Sequence, residues 1–257
     1  MPWRTVFACL LLPIALLAGG CNRAPSALDW TTAQRGFEYA VVDTADATGP
    51  GTRVHLLRYD PARFETVVVP ASTLGERLAD APAFQRAAGA VAAINAGYFD
   101  PDFKPLGLLY SRGRQWSRLR QVDHGVFFVA AGRPGVVHAR DWRVPQELEF
   151  AVECGPRLVV DGRPLTFKPG ASRRVAIGHD AQGRVVVAVS EGPQTLADLG
   201  ALLVRAEAAG GPELRAALNL DGGSSAMLAL AAGAVRVEVR APARVPVGLA
   251  IVARPGG

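Results

Sequence analysis

Asn219-Leu220-Asp221-Gly222-Gly223-Ser224-Ser225-Ala226-Met227 lies between two apolar runs, Ala216 to Leu218 before it and Met227, Leu228 and Leu230 after it. Asp-Gly between apolar runs predicts a tight hairpin, because glycine takes the positive φ that such a turn demands. Consecutive glycines also admit a ligand close to the backbone and leave N–H groups to face an anion. Taken alone, the stretch reads as a plain β-turn capped by Asp221. Its meaning depends on the rest of the chain.

Outward from that centre, apolar runs of strand length recur. Phe37 to Val42, Val54 to Tyr59, Phe64 to Val69, Ala90 to Ile94, Val126 to Ala130 and Leu148 to Val152 read as strands, as do Val235 to Arg240 and Val247 to Val252. Val159 to Pro164 reads as a strand and tight turn, and Arg174 to Gly178 as pairing with Arg184 to Val189 across Asp180 to Gly183. Arg112 to Arg120 reads as an arginine-rich turn. Thr73-Leu74-Gly75-Glu76 has the form of a capping box opening a helix, with Pro82 ending that helix or beginning another turn. Thr195-Leu196-Ala197-Asp198 is a similar start. Leu196, Leu199, Leu203 and Ala206 follow at helical spacing, with Gly210-Gly211 as the stop. The expected fold is α+β: a single domain with a strand-rich mixed sheet and one or two packed helices.

The chain has 257 residues, 49% hydrophobic and 20% charged, with a formal charge of +5. Its arginines are scattered and no basic run is interleaved with aromatics, so no nucleic-acid partner is expected. Arg4, the apolar run Val6 to Leu17 and Ala18-Gly19-Gly20-Cys21 have the order of a signal peptide. Small residues directly before a cysteine resemble a bacterial lipoprotein signal with Cys21 as the lipidated residue; the alternative is an ordinary secretory signal with an incidental Cys21, and either exports the domain. The expected organisation is a signal over 1–20, a tether over 21–35 and the domain over 36–257, exported and lipid-anchored to the cell envelope. Cys154 then has no disulfide partner and reads as a buried hydrophobe. The four histidines show no zinc spacing, and no metal site is assigned.

At four places an apolar run stops at polar residues with glycine: Asn95-Ala96-Gly97-Tyr98-Phe99, Glu153-Cys154-Gly155-Pro156-Arg157, Arg174-Val175-Ala176-Ile177-Gly178 and Asn219-Leu220-Asp221-Gly222-Gly223. Strands ending in a shared polar rim can build a cleft on a rigid scaffold. In this order the four stretches, with Arg244-Val245-Pro246 near the end, resemble the phosphodiester glycosidase family. The resemblance runs from about Phe37 to the end, with Ala96 and Ser224 standing where the family more often has glycine.

The resemblance implies a hydrolase that removes a sugar from a phosphodiester or an envelope polysaccharide. Such chemistry needs a carboxylate near the anomeric carbon and groups that steady the departing phosphate. It makes Asp221 the candidate base or nucleophile and Glu153 the second carboxylate. Arg157 and Arg174 become phosphate clamps, and Asn95 and Asn219 donors to sugar hydroxyls. Gly97, Tyr98, Gly222, Gly223 and Ser224 complete the expected binding rim. No cofactor is assigned and a divalent cation stays open; Asp100, Asp102 and Asp180 read as solvated loop carboxylates. Two other classes remain: a non-catalytic polysaccharide-binding lipoprotein and an assembly factor for polymer export.

Overall fold

The computed structural model describes Met1, residues 27–44 and residues 51–256. Cys21 and the apolar signal run lie outside these residues. Three larger sheets carry the fold, beside a two-stranded pair, Ala171–Ser172 with Gln194–Thr195. The first sheet has eight strands, in the order Thr31–Gln34, Phe37–Asp43, Arg53–Tyr59, Val185–Ser190, Val175–Asp180, Leu214–Asn219, Arg157–Val160 and Arg163–Pro164. The second has five, Arg114–Ser117, Leu109–Ser111, Leu148–Cys154, Gly125–Ala130 and Arg133–His138. The third also has five, Val235–Val239, Leu228–Ala232, Ala92–Asn95, Val247–Ala253 and Phe64–Pro70. Where one mixed sheet was expected there are several, and their strand pairings among the described residues are antiparallel.

The two-residue period of a strand explains the layering. Leu57 and Tyr59 face a central core shared with Phe127 and Phe150 of the second sheet and Ile94 and Leu249 of the third. Val54 and Leu56, on the other face, pack with Leu199, Leu202 and Leu203 of the helix α2, Leu196–Val204. Val185 to Val189 is apolar throughout for the same reason: Val185, Val187 and Val189 face the core, and Val186 and Ala188 face α2. Burying one such side chain contributes roughly 1.5–3 kcal/mol, so these two layers supply most of the cohesion.

The helix α1, Ala81–Ala88, carries Pro82 in its first turn, the second of the two expectations for that residue. Asp80 caps it, accepting from the Ala83 N–H at 2.9 Å, and proline suits a first turn because its missing N–H is not needed. The expected box at Thr73 is a short 3₁₀ turn, Ala71–Leu74, stopped by Gly75 at φ 75°. α1 lays the fully buried Phe84 on the third sheet, over Gly248, where an added Cβ would come within 2.3 Å of the ring. The box at Thr195 forms as read: its hydroxyl accepts from the Asp198 N–H at 3.0 Å and donates to the Asp198 carboxylate at 2.6 Å. α2 stops at Val204, however, and Gly210 closes a separate turn, Glu207–Ala209. Glu207 there pairs with the buried Arg58, which also binds Glu38 at 2.7 Å and lies over the Trp30 ring. Leu28, Trp30 and the strand Thr31–Gln34 therefore already belong to the folded body, ahead of the expected tether boundary at 35. The arginine-rich turn contains a strand, Arg114–Ser117, and Arg133–His138 is a strand that the pattern did not mark.

The hairpin expected at Asp221 does not form. Leu214–Asn219 pairs within the first sheet, with Val175–Asp180 and Arg157–Val160. Leu228–Ala232 pairs within the third, with Ala92–Asn95 and Val235–Val239. The stretch between them is a crossover joining two sheets. Both flanking strands are buried and interior to their sheets, so each needs partners on both sides for its backbone groups.

Candidate functional site

One strand from each sheet ends at this crossover: Ala92–Asn95 from the third, Leu148–Cys154 from the second and Leu214–Asn219 from the first. Side-chain amides tie the three ends together. The Asn95 amide, 1% exposed, donates to the Asp221 carbonyl at 2.7 Å and the Ala96 carbonyl at 3.1 Å, and its oxygen accepts from the Met227 N–H at 3.2 Å. The Asn219 amide donates to the Gly155 carbonyl at 2.9 Å and the Leu220 carbonyl at 2.7 Å. The Tyr98 hydroxyl donates to the same Gly155 carbonyl at 2.6 Å. Both asparagines brace the loop, where sugar contacts were expected of them. The Asn219 Oδ1 is buried without a partner.

Asp221 is half-buried, and burial raises its carboxyl above the usual carboxylate range, opposed by hydrogen bonds from the Ser225 side chain and the Gly222 N–H. Its charge is felt at Tyr98, whose phenol burial pushes up and the Arg174 guanidinium pulls back. The backbone places these residues around one loop: the Asp221 N–H faces the Ala96 carbonyl at 3.4 Å, two residues before Tyr98, and the Leu220 N–H donates to the Val175 carbonyl at 2.8 Å, next to Arg174. Ser225, which the sequence reading passed over, is the nearer serine; Ser224 is exposed and its carbonyl accepts from the Ala243 N–H at 3.0 Å.

The glycine N–H groups expected to hold an anion are engaged internally. The Gly222 N–H donates to Asp221 Oδ1 at 2.9 Å, and the Gly223 N–H to the Arg173 carbonyl at 2.8 Å. Glycine is required at 222 because a Cβ would fall 2.5 Å from that carbonyl, and at 223 because φ is +58°. Gly97 lies against the end of the second sheet's central strand, where a Cβ would meet the Glu153 carbonyl at 3.0 Å.

Arg174 is half-buried, with burial lowering its pKa, and its Nε and Nη2 donate to the Gln194 carbonyl at 3.0 Å and the Gly170 carbonyl at 2.8 Å. Its Nη1 makes no hydrogen bond among the described residues, leaving one face of the fork for a ligand. Arg157 is directed elsewhere: its stem crosses Gly125 and its charge acts on Asp123. Among the described residues it makes no hydrogen bond or ion pair with Asp221.

Glu153 is 1% exposed, and its Oε2 accepts from the Leu108 N–H at 2.9 Å and the Arg120 N–H at 2.8 Å. Its Oε1 lies 3.7 Å from His124 Nδ1. It is a buried brace, where a second carboxylate open to substrate was expected. Cys154 is the buried free thiol anticipated; burial pushes it up to about 12, against hydrogen bonds from the Gly155 and Tyr98 backbones. A broad hollow of ≈ 1240 Å³ lies at the far end of the first sheet, beside Gln182 and Arg184, and shares no residue with this site. Arginines and carboxylates balance in its wall, so the chemistry points back to Asp221.

The sequence pattern of the phosphodiester glycosidase family matches residues 88–253, which include all four polar strand ends. The chain belongs to the phosphodiester glycosidase family. Uncharacterized protein YigE of Escherichia coli K12 is 30% identical over 112 residues, spanning 38% of this chain and 44% of that protein's length. The catalytic domain of zebrafish N-acetylglucosamine-1-phosphodiester α-N-acetylglucosaminidase, solved auto-inhibited by its pro-peptide, has the same fold. It matches with a TM-score of 0.68 and 18% identity over 89% of this chain and 87% of that one. A hypothetical protein from Synechocystis matches with a TM-score of 0.60 and 16% identity over 88% of this chain and 64% of that one.

Proposed function

We propose that this phosphodiester glycosidase hydrolyses the bond between a sugar's anomeric carbon and a phosphodiester oxygen, with Asp221 acting at that carbon as base or nucleophile. The observation that carries the reading is the half-buried Asp221 carboxylate on the crossover where a strand of each sheet ends, its own carbonyl held by Asn95 and its loop tied to the strand that follows Arg174 by the Leu220 N–H. Glycoside cleavage usually employs two open carboxylates. Here Glu153 is closed off, which suits a leaving group that needs no proton: a phosphate departs as an anion. The free face of Arg174 supplies charge for that anion. The zebrafish relative's name specifies an N-acetylglucosamine-1-phosphodiester, which sets the first substrate to try.

The second reading is a polysaccharide-binding protein without turnover, favoured by the internal engagement of the Gly222 and Gly223 N–H groups. Incubating the purified chain with sugar 1-phosphodiesters and measuring free sugar decides between them. Steady release that requires Asp221 supports hydrolysis, and glycan binding without release supports the alternative. Export and anchoring through Cys21 belong to the same proposal, supported by the small residues before that cysteine. Replacing Cys21 with serine is expected to shift the protein from the membrane fraction to the soluble one.

A further inference from the structure

Two buried polar atoms on the second-sheet side of the site face each other without hydrogen-bond partners: Nδ1 of His124 and Oε1 of Glu153, 3.7 Å apart. The Glu153 carboxylate is held from its other oxygen by the Leu108 and Arg120 N–H groups, so Oε1 is fixed in place. The imidazole is fixed as well. Its ring lies 5.8 Å from the Tyr98 ring, and its Cδ2 edge abuts Gly155, where a Cβ would come within 2.8 Å. Tyr98 and Gly155 are the groups that also hold Asn219 and the crossover.

The His124 side chain is 22% exposed although its Nδ1 is sealed. With Cδ2 against Gly155, the exposed part is the edge that carries Nε2. A carboxylate behind Nδ1 favours the tautomer with the proton there, which leaves a lone pair on Nε2. That is the arrangement of a base whose orientation is set from behind.

We propose that His124, positioned by Glu153, is the residue that takes the proton from the attacking water, and that Asp221 is the nucleophile. This rests on the hydrolytic reading above and divides its labour. In the first step an Asp221 oxygen bonds to the anomeric carbon, and the bond from that carbon to the phosphate oxygen breaks, its electron pair leaving with the phosphate. In the second, a water oxygen bonds to the carbon and one water proton passes to His124 Nε2. The bond to Asp221 then breaks and restores the carboxylate. His124 returns its proton to solvent.

The groups around the imidazole fit a base at neutral pH. Burial lowers its pKa, assisted by Arg120 and opposed by Glu153 and Asp123; the buried Tyr98 phenol is uncharged beside it. The neutral form is therefore the populated one.

The test measures kcat and KM of the full chain on a sugar 1-phosphodiester for wild type, His124→Ala, His124→Gln and Glu153→Gln, with folding checked by thermal melting. Loss of the base is expected to lower kcat by about 10²-fold or more in either His124 variant, with KM changed far less. Free imidazoles are expected to restore turnover to His124→Ala, at rates that follow their basicity, which a packing role would not produce. Glu153→Gln is expected to fall between these and wild type. Wild-type turnover with a His124→Gln variant that is equally fast, or a slow His124→Ala that imidazoles do not rescue, would overturn the assignment while leaving the hydrolytic reading intact. No turnover by wild type would overturn both.

Discussion

The Asn95 side chain donates to the main-chain carbonyl of Asp221 at 2.7 Å, joining residues 126 positions apart and tying a strand end of the third sheet to the crossover. Asp221 is thus held through its backbone by a strand end, while its side chain is left to Ser225, Gly222 and solvent.

Replacing Asn95 with leucine removes this bond and its two companions, to Ala96 and Met227, from a site that is 1% exposed. Each buried group left unpaired costs about 1–3 kcal/mol. Urea unfolding is expected to show a loss of a few kcal/mol. A variant as stable as wild type would mean that the crossover does not depend on this brace.

Gly222→Ala tests the close approach of the loop to Arg173. The new Cβ would lie 2.5 Å from a carbonyl oxygen that also accepts the Gly223 N–H, so the loop must shift. Turnover is expected to fall by about tenfold or more, as misplacement of reacting groups by about 1 Å costs up to about 10²-fold. Circular dichroism should stay unchanged, and full activity in the variant would contradict the tight packing.

Arg174→Lys keeps the charge and loses the fork. The guanidinium now donates to the Gln194 and Gly170 carbonyls and still presents Nη1. A lysine ammonium has no planar geometry with which to do both. KM for a sugar 1-phosphodiester is expected to rise by about tenfold, with melting lowered by a few degrees. An unchanged KM would remove Arg174 from phosphate binding.

Much of this site was legible before the structure, and the reasons for the exceptions are specific. The polar ends at Asn95, Glu153, Arg174 and Asn219 stood out because buried strands stop abruptly there, and those strands do converge on one place. The hairpin reading of Asp221 failed because Asp-Gly between apolar runs carries the same local signal whether the next strand returns to its neighbour or crosses to another sheet. Long-range pairing decides that, and it left Leu214–Asn219 and Leu228–Ala232 apart. The family resemblance pointed to Glu153 as a second carboxylate, but its oxygen is held by the Leu108 and Arg120 N–H groups, far away in sequence. His124 was passed over because no spacing marks it; only the fold sets it against Tyr98 and Glu153. Pro82 stayed open between ending one helix and beginning another turn, and the fold takes the second, with Asp80 as the cap of that helix.

Stability against pH separates the role of Asp221 from that of a turn cap. Burial raises its carboxyl in the folded state, so the folded chain holds that proton more tightly than the unfolded chain. The contribution to stability is therefore greatest below the ordinary carboxylate value and is lost as pH rises through the raised one. Asp221→Asn removes the titration. At neutral pH the variant is expected to be at least as stable as wild type, with the difference vanishing in acid. Urea midpoints measured across that range check this, and a large loss of stability at neutral pH would make Asp221 a structural cap.

Turnover by Asp221→Asn tests the account most directly. The amide keeps the size of the carboxylate and can still accept from Ser225 and the Gly222 N–H, but it is neither base nor nucleophile. With a sugar 1-phosphodiester as substrate, release of free sugar is expected to fall by a factor on the order of a hundred or more, with the melting temperature preserved. Near-wild-type release by a folded Asp221→Asn protein would contradict the assignment of this carboxylate as the group that acts on the anomeric carbon.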